Sequence, residues 1–201
     1  ADGDPATSDG IFIFDGVSPA TDVRPGDIVR IDGTVKEFFG ETQVEASTVT
    51  VIGSGSVQAT PVSLPAGDLE RYEGMLIEFQ QTLTVSQLRN VERFGEMLLS
   101  EGGRQYTFTN LNAPNVDGFT AHIDSVYARR ITLDDGRRDQ NPGVTTNVRG
   151  GDQITGLTGV LRYSRGSGGD GDETWRLIDL LAGHIDEIGL MITHIDDKGY
   201  I

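Results

Sequence analysis

Cysteine is absent from all 201 residues of this chain, which excludes disulfide bonds and thiolate metal ligands. No apolar run approaches the roughly 18 residues of a membrane-spanning helix, and no basic start leads into the apolar segment of a signal peptide. Lysine and arginine number only 16 against 31 acidic residues, giving a net charge of −15. Because this charge opposes binding of a polyanion by the whole chain, a nucleic-acid site would require a local positive patch.

Glycine is abundant, with 27 residues set between short runs of β-branched and aromatic side chains. The run IFIF (11–14) predicts a strand buried on both faces. Residues 27–39 alternate around Gly33 and predict a strand that bulges there. Residues 47–53 predict another strand, and the Gly-, Ser-, Thr- and Pro-rich segment 54–65 predicts a connector between modules.

The second half of the chain continues this pattern of strands and turns. A short helical turn after Leu69 is expected to lead into a strand from Met75. Residues 95–110 predict a hairpin, and residues 129–142 predict a short strand followed by an Asp-Asp-Gly turn. The Gly-rich residues 164–172 predict a hairpin tip, because they do not join a strand to a helix as a nucleotide-binding loop does.

One motif occurs twice in the chain. The segment RPGDIVRIDGTV at 24–35 is similar to RGGDQITGLTGVL at 149–161. In both, an Arg-x-Gly-Asp turn precedes a predicted strand that contains a glycine. This repeat, together with the strand pattern, predicts an all-β fold of two related small barrels in tandem.

Six stretches of the chain, in order, resemble a known region. They are DGDPATSDGIFIFDG, GDIVRIDGTVKEFFGETQ, LERYEGMLIEF, FGEMLLSEGGRQYTFTN, ITLDDGRRDQNP and GDQITGLTGVLRYS. Together, over about residues 1–177, they resemble the OB-like accessory region that precedes the endonuclease/exonuclease/phosphatase domain of secreted bacterial nucleases. The resemblance implies two tandem OB-like barrels, an N-terminally truncated one at 1–64 and a second at 65–178. The remaining residues, 179–201, are expected to form a short tail strand.

The same resemblance carries a functional expectation. It implies a non-catalytic nucleic-acid-binding accessory region of an extracellular, metal-dependent nuclease, whose catalytic domain is absent from this chain. We expect a secreted bacterial protein that is monomeric, does not contact membranes, requires no cofactor and binds DNA in preference to RNA. Its other partner would be the downstream catalytic domain. The alternative is a structural spacer that binds nothing.

Charge is unevenly distributed along the chain. Residues 101–166 hold eight arginines against seven acidic residues, whereas residues 1–100 carry a net charge of −10. OB-like barrels bind single strands with a positive groove and stacking aromatic side chains. The nucleic-acid-binding candidates are therefore Arg104, Tyr106, Phe108, Arg129, Arg130, Arg137, Arg138, Arg162, Tyr163 and Arg165. In the alternative interpretation, Tyr106 and Phe108 lie two apart on a strand and face the core, and the arginines pair with Asp134, Asp135 and Asp139.

The last 22 residues, LLAGHIDEIGLMITHIDDKGYI, contain two of the three histidines. They resemble the metal-binding strand of tetrahedral, cellulase-M-like dimetal aminopeptidases. In that family the histidine of A-x-H-x-D-E-x-G ligates a metal and the aspartate two residues on orients it, which implies an incomplete, weak divalent-metal site at His184 and Asp186. A metallo-aminopeptidase fragment is thus a second alternative, joined near residues 177–180 by a natural fusion or an assembly junction.

Acidic turns are candidates for calcium, since Gly-containing, oxygen-rich loops suit a hard cation. The candidates are Asp2, Asp4, Asp9, Asp170, Asp172 and Glu173, with solvated turns as the alternative. His122, with Asp124 two residues on, is expected to be a surface histidine.

Overall fold

The fold is known from a computed structural model, which describes residues 4, 6–16, 19–137, 140, 147–165, 174–178 and 190–192. About 42% of the chain is strand and 15% is helix, so the expectation of a mostly β protein is confirmed. The strands are β1 (Ile11–Phe14), β2 (Asp27–Phe38), β3 (Glu41–Ser54), β4 (Thr60–Val62), β5 (Leu76–Phe79), β6 (Leu83–Gln87), β7 (Glu96–Ser100), β8 (Arg130–Asp134), β9 (Gln153–Ile154), β10 (Thr158–Ser164), β11 (Thr174–Ile178) and β12 (Leu190–Ile192). The helices are α1 (Val91–Phe94), α2 (Phe108–Leu111) and α3 (Val116–Ala128), with a 3₁₀ turn at Glu70–Tyr72.

The first sheet has the strand order β12-β1-β3-β2. Its centre is the long antiparallel hairpin of β2 and β3, whose register shifts between Asp32 and Gly33. A Cβ on Gly33 would lie 2.5 Å from the carbonyl oxygen of Glu45, so the predicted bulge at this glycine is confirmed. Strand β1 runs parallel to β3 and antiparallel to β12, which is the expected strand in the tail.

The second sheet is larger and half-barrel-like, with the order β4-β5-β10-β11-β8-β7-β6-β9. Its core is apolar, formed by Val62, Leu64, Ile77, Phe79, Leu83, Val85, Leu99, Ile131, Leu161 and Leu177. Strand β4 pairs with β5, so the segment expected to be a connector contributes a strand to this sheet. The sequence signal there was weak because Pro61 occupies the middle of β4, and proline is tolerated at a sheet edge.

The predicted hairpin at 95–110 is wrong in its second half. Strand β7 ends at Ser100, and the chain then forms α2 and α3 instead of a return strand. The side chain of Asn115 caps α3 by accepting a hydrogen bond from the Gly118 N–H at 2.6 Å. Val116, Phe119 and Ile123 have helical spacing, but the polar residues between them obscured it.

The repeated Arg-x-Gly-Asp motif forms the same turn twice. The backbone N–H of Asp27 donates to Arg24 O, and the aspartate carboxylate accepts from the Arg24 N–H at 2.8 Å. Asp152 and Arg149 make the same two bonds, again with a carboxylate distance of 2.8 Å. The third residue of each turn is a glycine with positive φ, 94° at Gly26 and 102° at Gly151. The local similarity in sequence is therefore a local similarity in structure.

The two sheets meet where two glycines cross. A Cβ on Gly10 would overlap the carbonyl group of Gly74, lying 2.5 Å from its oxygen, and a Cβ on Gly74 would lie 2.6 Å from Ile11 N. The Gly74 N–H also donates to Leu161 O in β10 at 2.7 Å. The chain leading into β1 thus rests directly on the backbone that precedes β5.

We expect Gly10→Ala to destabilise the protein by more than about 1 kcal/mol, because the new methyl group meets backbone that cannot move alone. Urea unfolding gives the free energy of unfolding. Gly67→Ala is the control, since a Cβ there meets nothing within 4 Å. Equal stability of the two variants would contradict the close crossing.

Candidate nucleic-acid interface

Several of the predicted arginines lie at one end of the second sheet. Strand β10 ends at Ser164, opposite Thr174 at the start of β11. Strand β8 runs parallel to β11 and begins at Arg130, which lies opposite Ser100 at the end of β7. Because neighbouring strands are about 4.8 Å apart, the four strand ends span roughly 15 Å. We call this end, with the residues that directly flank it, the arginine rim.

Arg104 and Tyr106 lie at this rim. Tyr106 is 47% exposed, and the guanidinium carbon of Arg104 is 5.7 Å from the centre of its ring. The adjoining backbone is fixed against α3, because His122 Nε2 donates to Tyr106 O at 2.9 Å and Gln105 Nε2 donates to Val126 O at 2.8 Å. An exposed ring on a fixed backbone is suited to stacking.

A second pair of the same kind is formed by Tyr127 and Arg130. Tyr127 is 57% exposed, and the guanidinium carbon of Arg130 lies 3.8 Å from its ring centre. Tyr127 was not among the candidates predicted from the sequence, although its position eleven residues after Val116 places it on the same side of α3 as Val116. Between the two pairs, Arg129 Nε is 2.7 Å from Glu101 Oε2, and both side chains are partly exposed.

The described residues of the rim carry more positive than negative charge. They include Arg104, Arg129, Arg130 and Arg165, together with the carboxylate of Glu101, which lies beside Arg129. Four of the eight arginines of residues 101–166 therefore lie at this end of the sheet.

Three other candidates contact side chains elsewhere in the fold. Phe108 is 7% exposed and packs against the rings of Phe119 and His122, so it begins α2 and faces inward instead of lying on a strand. Arg162 binds Glu41 with both ends of its guanidinium, at 2.5 and 2.8 Å. Tyr163 packs against Trp175, with ring centres 5.0 Å apart.

The remaining candidates lie elsewhere. Arg137 follows β8 at the end of the sheet opposite the rim, where its N–H donates to the Asp135 carboxylate at 3.0 Å. Arg138 lies outside the described residues. Arg165 directly follows β10 at the rim, and its guanidinium carbon is 4.3 Å from the ring centre of Phe39.

The predicted metal positions are mostly outside the described residues. These are His184, Asp186, Asp2, Asp170, Asp172 and Glu173. Asp4 forms an ordinary turn, accepting from the Ala6 N–H at 2.9 Å. Within the described ranges, no group of three or more His, Asp or Glu side chains is placed to hold a metal ion.

Comparison with models of protein families, with curated proteins and with solved structures finds no match to this chain. No helix in the described part of the chain is both long and apolar enough to span a membrane.

Proposed function

We propose that this chain is a non-catalytic, nucleic-acid-binding accessory region of a secreted bacterial nuclease, built from two OB-like barrels. The observation that carries the proposal is the arginine rim, where two exposed tyrosines each lie beside an arginine. That a separate domain of the nuclease carries out catalysis is proposed from the sequence resemblance.

The chemistry of the rim favours a single strand, and the expected preference for DNA over RNA comes from the sequence resemblance. Unpaired bases expose their faces and stack on aromatic rings, an interaction worth about 1–3 kcal/mol per base. The neighbouring guanidinium groups meet the phosphates and release counterions. Neither interaction reads base identity, so the rim would hold a strand without sequence preference.

Arg129→Ala/Arg130→Ala should weaken binding of a fluorescently labelled single-stranded 12-mer of thymidine by about tenfold or more at low salt. Each lost phosphate contact also lowers the slope of log K against log salt by about one. Fluorescence anisotropy at several salt concentrations measures both quantities. Arg24→Ala is the control for the loss of an exposed arginine, because Arg24 lies beside Asp22 in the turn that precedes β2.

The spacer alternative makes the opposite prediction for the same titration. If the unaltered protein does not bind the 12-mer at low salt, nucleic-acid binding is excluded and the spacer is the better account. If Arg24→Ala weakens binding as much as the rim variant, the rim is not the site.

A further inference from the structure

The tip of the β2–β3 hairpin presents two phenylalanines to solvent. Phe38 is 55% exposed and Phe39 is 54% exposed, and their rings meet edge to face with centres 4.6 Å apart. Phe38 pairs with Glu41, so the loop between the strands consists of only Phe39 and Gly40. Exposed, adjacent phenylalanines at a two-residue turn serve no packing need of the first sheet.

The backbone at this turn is strained in a way that stability alone does not explain. Phe39 has φ = 52° and Gly40 has φ = 81°, the left-handed conformation at both positions that favours Asn-Gly in such hairpins. A bulky side chain in this region is uncommon, and such outliers cluster at functional positions. The phenylalanine at position 39 is therefore a candidate functional residue.

The tip is not isolated but rests on the second sheet. A Cβ on Gly40 would lie 2.9 Å from the ring of Tyr163, and Arg165 lies over the ring of Phe39. Of the carboxylates near the tip, Glu41 is bound by Arg162 and Glu45 forms an ion pair with Lys36, whereas Glu37 accepts a hydrogen bond from the Thr42 hydroxyl. The aromatic pair is consequently held beside the end of β10, which is part of the arginine rim.

We infer that Phe38 and Phe39 form a second stacking platform, which takes unpaired bases of the same single strand that the arginine rim binds. Arg165 links the two, because it follows the rim strand β10 and lies over Phe39. The expected ligand is single-stranded DNA in an extended conformation, with bases on the phenylalanines at one end and on the tyrosines at the other. This inference rests on the proposed function and adds to it the residues of a second stacking site and the path of the bound DNA strand.

The test uses Phe39→Asn and Phe38→Ala/Phe39→Asn with two labelled ligands, a 12-mer of thymidine and an abasic 12-mer with the same phosphates. Asparagine suits the left-handed turn, so Phe39→Asn should have a urea midpoint no lower than that of the unaltered protein. It should weaken binding of the thymidine 12-mer by about tenfold, and the double variant by more, while abasic binding stays unchanged. Ile52→Ala is the control, since Ile52 is 46% exposed at the opposite end of the hairpin.

The outcomes separate this inference from the proposed function. If the rim variants lose binding but the phenylalanine variants bind both ligands normally, the platform is overturned and the proposed function stands. If the phenylalanine variants lose abasic and thymidine binding equally, stacking is overturned as the role of the tip. If the unaltered protein binds neither ligand, both proposals fail.

Discussion

Replacing Arg176 by methionine is expected to destabilise the protein by about 3–5 kcal/mol, because it leaves two buried carboxylates without their cation. Arg176 is 4% exposed, and its Nη1 lies 2.9 Å from Glu96 Oε1 and 3.1 Å from Asp134 Oδ2. Both carboxylates are only 3% exposed. Methionine fills a similar volume but supplies neither charge nor hydrogen bonds.

The guanidinium of Arg176 also fixes the end of β10. Its Nε donates to Ser164 O at 3.0 Å and its Nη2 donates to Arg165 O at 2.7 Å. The methionine variant therefore leaves two backbone carbonyls without these donors, which adds to the loss. Because these carbonyls belong to the arginine rim, the variant should also loosen the backbone beside Arg165.

The pH dependence of this loss follows from the carboxylates. Burial raises the pKa of Asp134, the Gly136 N–H and Arg176 lower it, and Glu96 and Asp135 raise it. Without Arg176 the pKa of Asp134 rises further. The variant is therefore destabilised least at low pH, where the carboxylate takes up a proton, and most above neutral pH. Urea unfolding at pH 5 and pH 8 measures both limits.

The control restores electrical neutrality. In Arg176→Met/Glu96→Gln/Asp134→Asn the buried site has no charge, and the new amide oxygen at position 134 can still accept from the Gly136 N–H, as the carboxylate does. Most of the lost stability should therefore return. A single variant within about 1 kcal/mol of the unaltered protein, or no recovery in the triple variant, would show that the cluster does not hold the second sheet together.

Local chemistry made part of this fold predictable. The bulge at Gly33 and the two Arg-x-Gly-Asp turns could be predicted because glycine and aspartate determine backbone geometry within a few residues. The positive segment that contains the rim was visible as an uneven distribution of charge. The pairing of Arg130 with Tyr127 would have followed from a correct helix assignment, since the two residues are close in the chain.

Long-range pairing could not be predicted. Arg162 resembled the rim arginines in the sequence, but its partner Glu41 is 121 positions away and is 2% exposed in the fold. Phe108 likewise faces inward only because α2 and α3 replace the expected strand. In each case tertiary contacts decide whether a candidate side chain faces solvent or the interior, and local spacing and composition do not reveal those contacts.

Glu73→Gln is expected to stabilise the protein at pH 8 by up to about 3 kcal/mol, with little effect at pH 4.5. Glu73 is 6% exposed at the junction of the sheets, where its Oε2 accepts from the Thr42 N–H at 3.3 Å. Burial, together with the carboxylates of Glu70, Glu41 and Glu37, raises its pKa to about 7, although the hydrogen bond from the Thr42 N–H lowers it.

The sign follows from comparing the folded and unfolded chains. The unfolded group titrates near its model value of 4.5, whereas the folded group titrates at about 7, so the folded state holds the proton more tightly. The contribution of Glu73 to stability is full below pH 4.5, declines as the pH rises from 4.5 to 7, and is absent above that range. Glutamine resembles the protonated carboxyl group and does not titrate, so the variant escapes this decline.

The measurement is urea unfolding of both proteins from pH 4.5 to pH 8, with the difference in free energy of unfolding plotted against pH. Glu92→Gln removes one negative charge from an exposed position of α1 and controls for the change in net charge. A difference that is constant across this range would show that the Glu73 carboxyl group is not charged at a cost in the folded protein. A difference that grows between pH 4.5 and 7 would show that the contact between the two sheets weakens as the pH rises towards neutrality. The polar contacts that hold the hairpin tip beside the arginine rim would then depend on pH, because Thr42 follows Glu41 and Glu41 is the partner of Arg162.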